Sequence, residues 1–216
     1  MLSKSQIQFI TSLHHKKYRE ENGCFIAEGT KIVMELMASD FQVRRIYASA
    51  EWIVSHMKET CAKEIPMFET LPHEMAKISA LSTPGPVLAV VAIPSTTNLP
   101  SSKSLVPPFP CSPVSPFTGS RDFWSSRWLT LALDDIRDPG NLGTIIRIAD
   151  WFGIDTILCS MNCVDEFNPK VVQATMGSIA RVRVIRCDLE KVLATISDQN
   201  KVNLSSHHFA PDSDSA

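Results

Sequence analysis

Apolar positions in the first part of the chain fall into short blocks that alternate between strand-like runs and helical spacing. Cys24–Ala27, Val43–Ala48, Met67–Phe68 and Val87–Ile93 read as strands. An opening stretch from about Ser5 to Arg19, a segment from Thr30 or Lys31 to Met37, Glu51–Thr60 and Pro72–Ser79 read as helices. This alternation predicts a small α/β sandwich.

A second alternating block begins near Trp128. It predicts strand Leu129–Leu133, a polar turn Asp134–Asn141, helix Leu142–Phe152 and strand Thr156–Cys159. Asn168 and Pro169 then supply an N-cap and a first-turn proline for a helix to about Met176, which Gly177 is placed to end. Strand Ala180–Arg186 and helix Asp188–Ile196 follow. Strands separated by helices predict a parallel sheet covered on both faces.

Between Pro94 and Ser120 lie seven prolines and seven serines, with no apolar period. Such a stretch cannot bury enough apolar area to offset its ordering entropy, so a linker is expected. The organisation read from the sequence is therefore an N-terminal domain over residues 1–95, a linker over 96–127, a second domain over 128–200 and a polar tail over 201–216.

With 216 residues and 44% hydrophobic content, the chain can fill two modest cores. Its longest unbroken apolar run, Val87–Ile93, is too short to cross a bilayer, so no membrane partner is expected. The first residues lack the apolar core of a secretory signal, so a cytoplasmic, reducing location and free thiols are expected. Cys159 and Cys163 are either two ordinary thiols or half of a metal site; no second pair follows at zinc spacing, and no metal is expected. The net charge of −2 argues against a uniformly basic surface, yet phosphate binding needs only local patches. His14–Arg19, Arg44–Arg45 and Arg181/Arg183/Arg186 are candidates, although each taken alone reads more readily as a solvated face.

The strongest chemical signal is the helix from Leu142. Leu142, Ile145, Ile146, Ala149 and Phe152 share one face, and Thr144, Arg147 and Trp151 the other. Its start presents free backbone N–H groups beyond the end of a strand, where open α/β sheets usually bind ligands. Asn141 can cap the helix and hydrogen-bond, Gly143 lets a substrate backbone approach, and the outward Arg147 can hold a phosphate by two hydrogen bonds. A capped, solvated helix is the alternative. No Gly-x-Gly-x-x-Gly, Gly-Lys-Ser/Thr, Gly-x-Ser-x-Gly or His-Glu-x-x-His pattern occurs, which ranks nucleotide-binding and hydrolase chemistry low.

Asp138–Gly153 and Asn168–Val182 resemble, in order and spacing, the first two motifs of the SpoU family of S-adenosylmethionine-dependent tRNA/rRNA ribose 2′-O-methyltransferases, within the SPOUT superfamily. Arg19–Glu35 resembles the RNA-recognition domain of that family. The resemblance implies an N-terminal α/β substrate-binding domain, a parallel-sheet SPOUT-type domain, S-adenosylmethionine as cofactor, RNA as partner and a homodimer. It implies Arg147 and Asn141 at the target ribose, and Thr175, Met176 and Gly177 at the cofactor. Contacts to RNA are implied for Lys17, Arg19, Glu28, Lys31, Gly143 and Lys170.

Gln173 departs from the basic residue common in the second motif; Lys170 reads either as a partial compensation or as a solvated lysine near a helix start. A third motif, a Gly- and Glu-containing loop followed by a threaded Ser-Leu-Asn segment, has no counterpart in Lys201–Ala216, which contains no glycine. A truncated domain with an incomplete trefoil knot is therefore expected. An RNA-binding protein without methyl transfer stands as the alternative function.

Overall fold

The computed structural model describes residues 2–94 and 130–194. The expected linker and polar tail, and the expectation of an absent third motif with an incomplete knot, fall on residues outside those described.

Helices α1 (Lys4–Ser12) and α2 (Lys16–Asn22) open the chain. The sequence reading made them one helix, and the structure breaks it at Leu13–His15 for a reason visible in hydrogen bonds. The Arg19 guanidinium donates from Nη1 to the carbonyls of Leu13, at 2.9 Å, and His14, at 2.8 Å. It thereby takes up acceptors that a helix end leaves unsatisfied. At the other end of α1, Ser3 and Gln6 form a reciprocal capping box.

Strand β1 (Cys24–Glu28), α3 (Thr30–Ala38), β2 (Val43–Ala48), α4 (Ala50–Ser55), α5 (Met57–Cys61), β3 (Met67–Glu69), α6 (Pro72–Ile78) and β4 (Val87–Ala92) complete the first lobe. The helix expected over Glu51–Thr60 divides at His56, whose ring Nδ1 sits 3.0 Å from the Trp52 carbonyl. The sheet order is β1-β4-β2-β3. β4 runs antiparallel to β1 and β2, and β3 runs parallel to β2.

Alternation along the strands gives this sheet two apolar faces. Phe25, Ala27, Val43 and Ile46 pack with Ile32, Val33 and Leu36 of α3. Ile26, Tyr47, Leu88 and Val90 pack on the other face with Ile10 and Leu13 and with Met75 and Ile78 of α6.

The second lobe comprises β5 (Leu131–Leu133), α7 (Pro139–Trp151), β6 (Thr156–Cys159), α8 (Pro169–Thr175), a 3₁₀ turn (Ser178–Ala180) and β7 (Arg183–Arg186), with residues 189–194 helical. Its strands lie in the order β5-β6-β7 and are all parallel, as expected. The strand expected from Ala180 begins only at Arg183, because Gly177, at φ 100°, turns the chain into the 3₁₀ segment.

The lobes share a core. Val172 of α8, Ile179 and Phe167 join the Phe25 face of the first sheet, with the Phe25 and Phe167 rings 4.8 Å apart. Each aliphatic side chain buried there contributes about 1.5–3 kcal/mol. Beside this core Arg19, only 2% exposed, meets Asp165, its Nε donating to Oδ2 at 3.1 Å.

Candidate active site

β5 delivers the chain at Leu133 into a turn in which Asp135 adopts a left-handed φ of 53° and accepts a hydrogen bond from Arg137 Nε at 2.8 Å. α7 then starts at Pro139. Its cap is Asp138, whose Oδ1 accepts from the Asn141 N–H at 2.7 Å. Asp138 thus performs the capping that the sequence reading gave to Asn141, whose own side chain stands exposed in the first turn. The pairing of an N-cap acid with a proline at the first helical position was the available signal.

Asn141, Thr144, Arg147, Ile148 and Trp151 of α7 and Phe152 at its C-cap are exposed, while Leu142, Gly143, Ile146 and Ala149 are buried. At 3.6 residues per turn the exposed positions fill an arc of about 140°. Phe152, expected on the buried face, belongs instead to the exposed arc and is 53% accessible. Arg147 has no hydrogen-bond or ion-pair partner among the described residues, so its five donors remain for a ligand. Asn141 lies about 9 Å back along the axis and about 120° round it, so the helix does not present the two side chains side by side.

Gly143 does not face a substrate. A Cβ built there would lie 2.4 Å from the Ala174 Cβ and 2.9 Å from the Val171 carbonyl oxygen, so this glycine is the seat on which α8 rests. Lys170 is exposed in the first turn of α8, beneath the Asn168 cap.

Of the three residues linked to the cofactor, Thr175 is fully buried and donates its hydroxyl to the Val172 carbonyl at 2.7 Å. Gly177 faces the first lobe, where a Cβ would stand 2.9 Å from Glu35 Cγ. Met176, left-handed at φ 53°, is 45% exposed. Thr175 and Gly177 therefore offer a cofactor backbone groups only, and Met176 alone of the three presents a free side chain.

The first-lobe candidates separate in the same way. Arg19 is the buried inter-lobe ion pair described above and cannot reach RNA. Glu28 is 5% exposed and accepts hydrogen bonds from Ser79 Oγ and from the Ala80 N–H, the latter at 2.7 Å, so it fastens the end of α6. Lys31 is exposed in the first turn of α3, and Lys17 is exposed in a loose pair with Glu21 at 3.8 Å.

One network escaped the sequence reading. Arg181 donates from Nε to Asp150 Oδ1 at 2.9 Å, from Nη2 to Oδ2 at 2.8 Å, and from Nη1 to Glu35 of α3. Ser178 Oγ donates to the same Asp150 carboxylate at 2.7 Å. The Arg181 hydrogen bonds hold the Asp150 carboxyl below its ordinary range against the opposing effect of burial. Asp150 lies about one turn beyond Arg147, so this network ties the arginine-bearing helix to the first lobe.

Arg186 is likewise occupied, by Glu166 and the carbonyls of Cys163 and Val164. Of that basic cluster, Arg183 alone is exposed and without a partner among the described residues. Burial pushes the Cys159 thiol up to about 12, and Cys163 hydrogen-bonds to the Leu133 carbonyl, so both read as core thiols. No group of three or more His, Cys, Asp or Glu side chains able to hold a metal occurs among the described residues.

Comparison with known proteins covers both lobes. Residues 4–89 match the MRM3-like substrate binding domain, and residues 128–213 match the SpoU rRNA Methylase family. The second match runs past Asn200, where the sequence reading had placed its end. The chain is 26% identical over 176 residues to the mitochondrial rRNA methyltransferase 3 of Mus musculus, covering 82% of this chain but only 38% of the mouse protein. A 23S rRNA guanosine 2′-O-methyltransferase of Bacillus subtilis is 27% identical over 177 residues, 82% of this chain and 60% of that protein. The chain thus spans 38% of the one relative and 60% of the other, less than two thirds of each.

Among solved structures, an AdoMet-bound rRNA methyltransferase from Sinorhizobium meliloti superposes with a TM-score of 0.66 at 25% identity, covering 90% of this chain and 66% of that one. A TrmH-family protein from Porphyromonas gingivalis gives a TM-score of 0.69 at 32% identity, covering 93% of this chain and 69% of that one. With both lobes matched in order and identity of 32% over most of a solved relative, this chain belongs to the SpoU/TrmH family of RNA methyltransferases.

Proposed function

We propose that this chain takes part in methyl transfer from S-adenosylmethionine to a ribose 2′-hydroxyl of RNA, with ribosomal RNA as the substrate class. The observation that carries the reading is Arg147, exposed and without a partner among the described residues, on the helix that follows the end of β5. The relatives that share both lobes are named as rRNA methyltransferases, which supports the substrate class.

When bound, S-adenosylmethionine supplies an electrophilic methyl group on sulfur. A guanidinium stays protonated at neutral pH, so Arg147 is not the proton acceptor. Its role in this reading is to grip the phosphate next to the target ribose and to stabilise negative charge building on the 2′-oxygen. Lys170 and Lys31, both exposed, add phosphate contacts, and Lys17 joins them by giving up its loose surface pair. Asn141 serves as a neighbouring hydrogen-bonding group, and Met176 offers an apolar side chain to the cofactor. No step is assigned to Thr175 or Gly177.

A homodimer belongs to the same reading, supported by the exposed apolar side chains Ile148, Trp151 and Phe152 on α7. Light scattering coupled to gel filtration tests it. Cytoplasmic residence is also part of the proposal, and fractionation should include mitochondria, since several relatives carry that location in their names.

Two titrations, one with S-adenosylmethionine and one with a labelled rRNA stem-loop, test the main reading. Saturable binding of both supports the enzyme. Binding of RNA with none of the cofactor would replace it with the RNA-binding alternative.

A further inference from the structure

Strand β2 departs from regular alternation at Arg44. Val43 stands opposite Val91, but Arg45 stands opposite Val90, so β2 carries one extra residue relative to its partner. This is a β-bulge, a feature that re-aims side chains. The burial pattern agrees: Val43 and Ile46 both pack in the core that holds Phe25 and α3, although an odd separation would ordinarily put them on opposite faces. The two residues between them, Arg44 and Arg45, are both exposed.

Arg45 shares a face with Val90, the face covered elsewhere by α1 and α6. Burial pushes the Cys24 thiol up, and the nearby charges of Arg44 and Arg45 oppose that rise; Cys24 lies on the same face as Val90. Neither guanidinium has a hydrogen-bond or ion-pair partner among the described residues. A regular strand would have spent one of them on the apolar core, so the bulge creates a paired cationic site.

We propose that Arg44 and Arg45 form a phosphate clamp for the backbone of the substrate RNA. The proposal rests on the RNA-methyltransferase reading. The second lobe packs on the opposite face of this sheet, through Val172 and Ile179. The clamp therefore engages a stretch of RNA away from the target nucleotide, and it acts on binding rather than on chemistry. Two guanidiniums on adjacent residues can each take one phosphate in the two-pronged geometry that lysine lacks.

The test is a fluorescence anisotropy titration of the full chain with a labelled rRNA stem-loop at several salt concentrations. Each phosphate contact contributes about 0.9 to the slope of log affinity against log salt. The Arg44→Ala/Arg45→Ala variant should lose about two contacts, so between 50 and 200 mM salt the wild type should lose roughly tenfold more affinity than the variant. Arg44→Lys/Arg45→Lys should keep the wild-type slope while binding more weakly. A wild-type slope in the double alanine variant overturns the clamp and leaves the RNA reading intact. A wild type that does not bind the stem-loop at any salt concentration overturns both.

Discussion

Gly143→Ala separates two roles that one glycine can play on α7. If the position is open so that a substrate backbone can approach, an added methyl leaves the fold alone and improves the helix by about 1 kcal/mol. The structure gives the opposite expectation. The new Cβ would stand 2.4 Å from the Ala174 Cβ, 2.9 Å from the Val171 carbonyl oxygen and 3.1 Å from the Ala174 carbonyl carbon. Carbon–carbon contacts rest at about 3.5–4.0 Å, so α8 would have to retreat by roughly an ångström or more. Two of the three obstacles are backbone atoms, which a rotamer change cannot move.

Overpacking costs about 1–3 kcal/mol, a clash against backbone atoms falls at the upper end of about 2–3 kcal/mol, and subtracting the propensity gain of about 1 kcal/mol leaves a net loss of about 1–2 kcal/mol. Urea denaturation of the full chain would read it as a lower midpoint with an unchanged slope. Ala174→Gly alone costs about 1 kcal/mol of helix propensity, so Gly143→Ala/Ala174→Gly should be more stable than the sum of the two single variants, since it removes the closest contact and leaves the carbonyl clash. A midpoint equal to or above wild type for Gly143→Ala would refute the packing role and return the position to the substrate.

Arg19→Ala should destabilise the chain by roughly 3–5 kcal/mol, because it leaves Asp165 without its buried partner. If the protein is still folded, the salt slope of RNA binding should not change; a flatter slope would restore Arg19 to the RNA surface. Asp150 gives a pH signature. Its carboxyl is held low by Arg181, so its contribution to stability is complete above the unfolded value of about 3.9 and is lost as pH falls through the folded value. Between pH 6 and the acid limit of folding, wild-type stability should therefore drop more steeply than that of Asp150→Asn, and parallel profiles would remove the Asp150–Arg181 pair from the account.

Local pattern carried most of the architecture. The short apolar runs, the Asn168-Pro169 start and the Gly177 stop each depend on neighbours in sequence, and all but the start of the strand expected from Ala180 appear close to where they are expected. The errors share a different origin. Nothing near Arg19 announces Asp165, 146 residues away, so the opening basic cluster looked like one solvated helix when its last arginine was a buried tie. Arg181, Asp150 and Glu35 come from separate elements, and only the fold brings them together. The family resemblance implied an RNA contact for Glu28, and a glycine at the start of α7 implied room for a substrate backbone; here Glu28 fastens the end of α6 and Gly143 seats α8. Arg147 was legible because its helix is amphipathic and its position falls off the apolar arc.

The central claim is that Arg147 is the group on α7 that engages the target ribose and its phosphate. Incubation of ribosomal RNA with the full chain and radiolabelled S-adenosylmethionine, followed by mapping of 2′-O-methylated positions, measures it directly. The account predicts label at a ribose 2′-oxygen with wild-type protein and its loss in Arg147→Ala, whose denaturation midpoint should match wild type because the side chain is exposed and unpartnered among the described residues. Methylation by Arg147→Ala at the wild-type rate would contradict it.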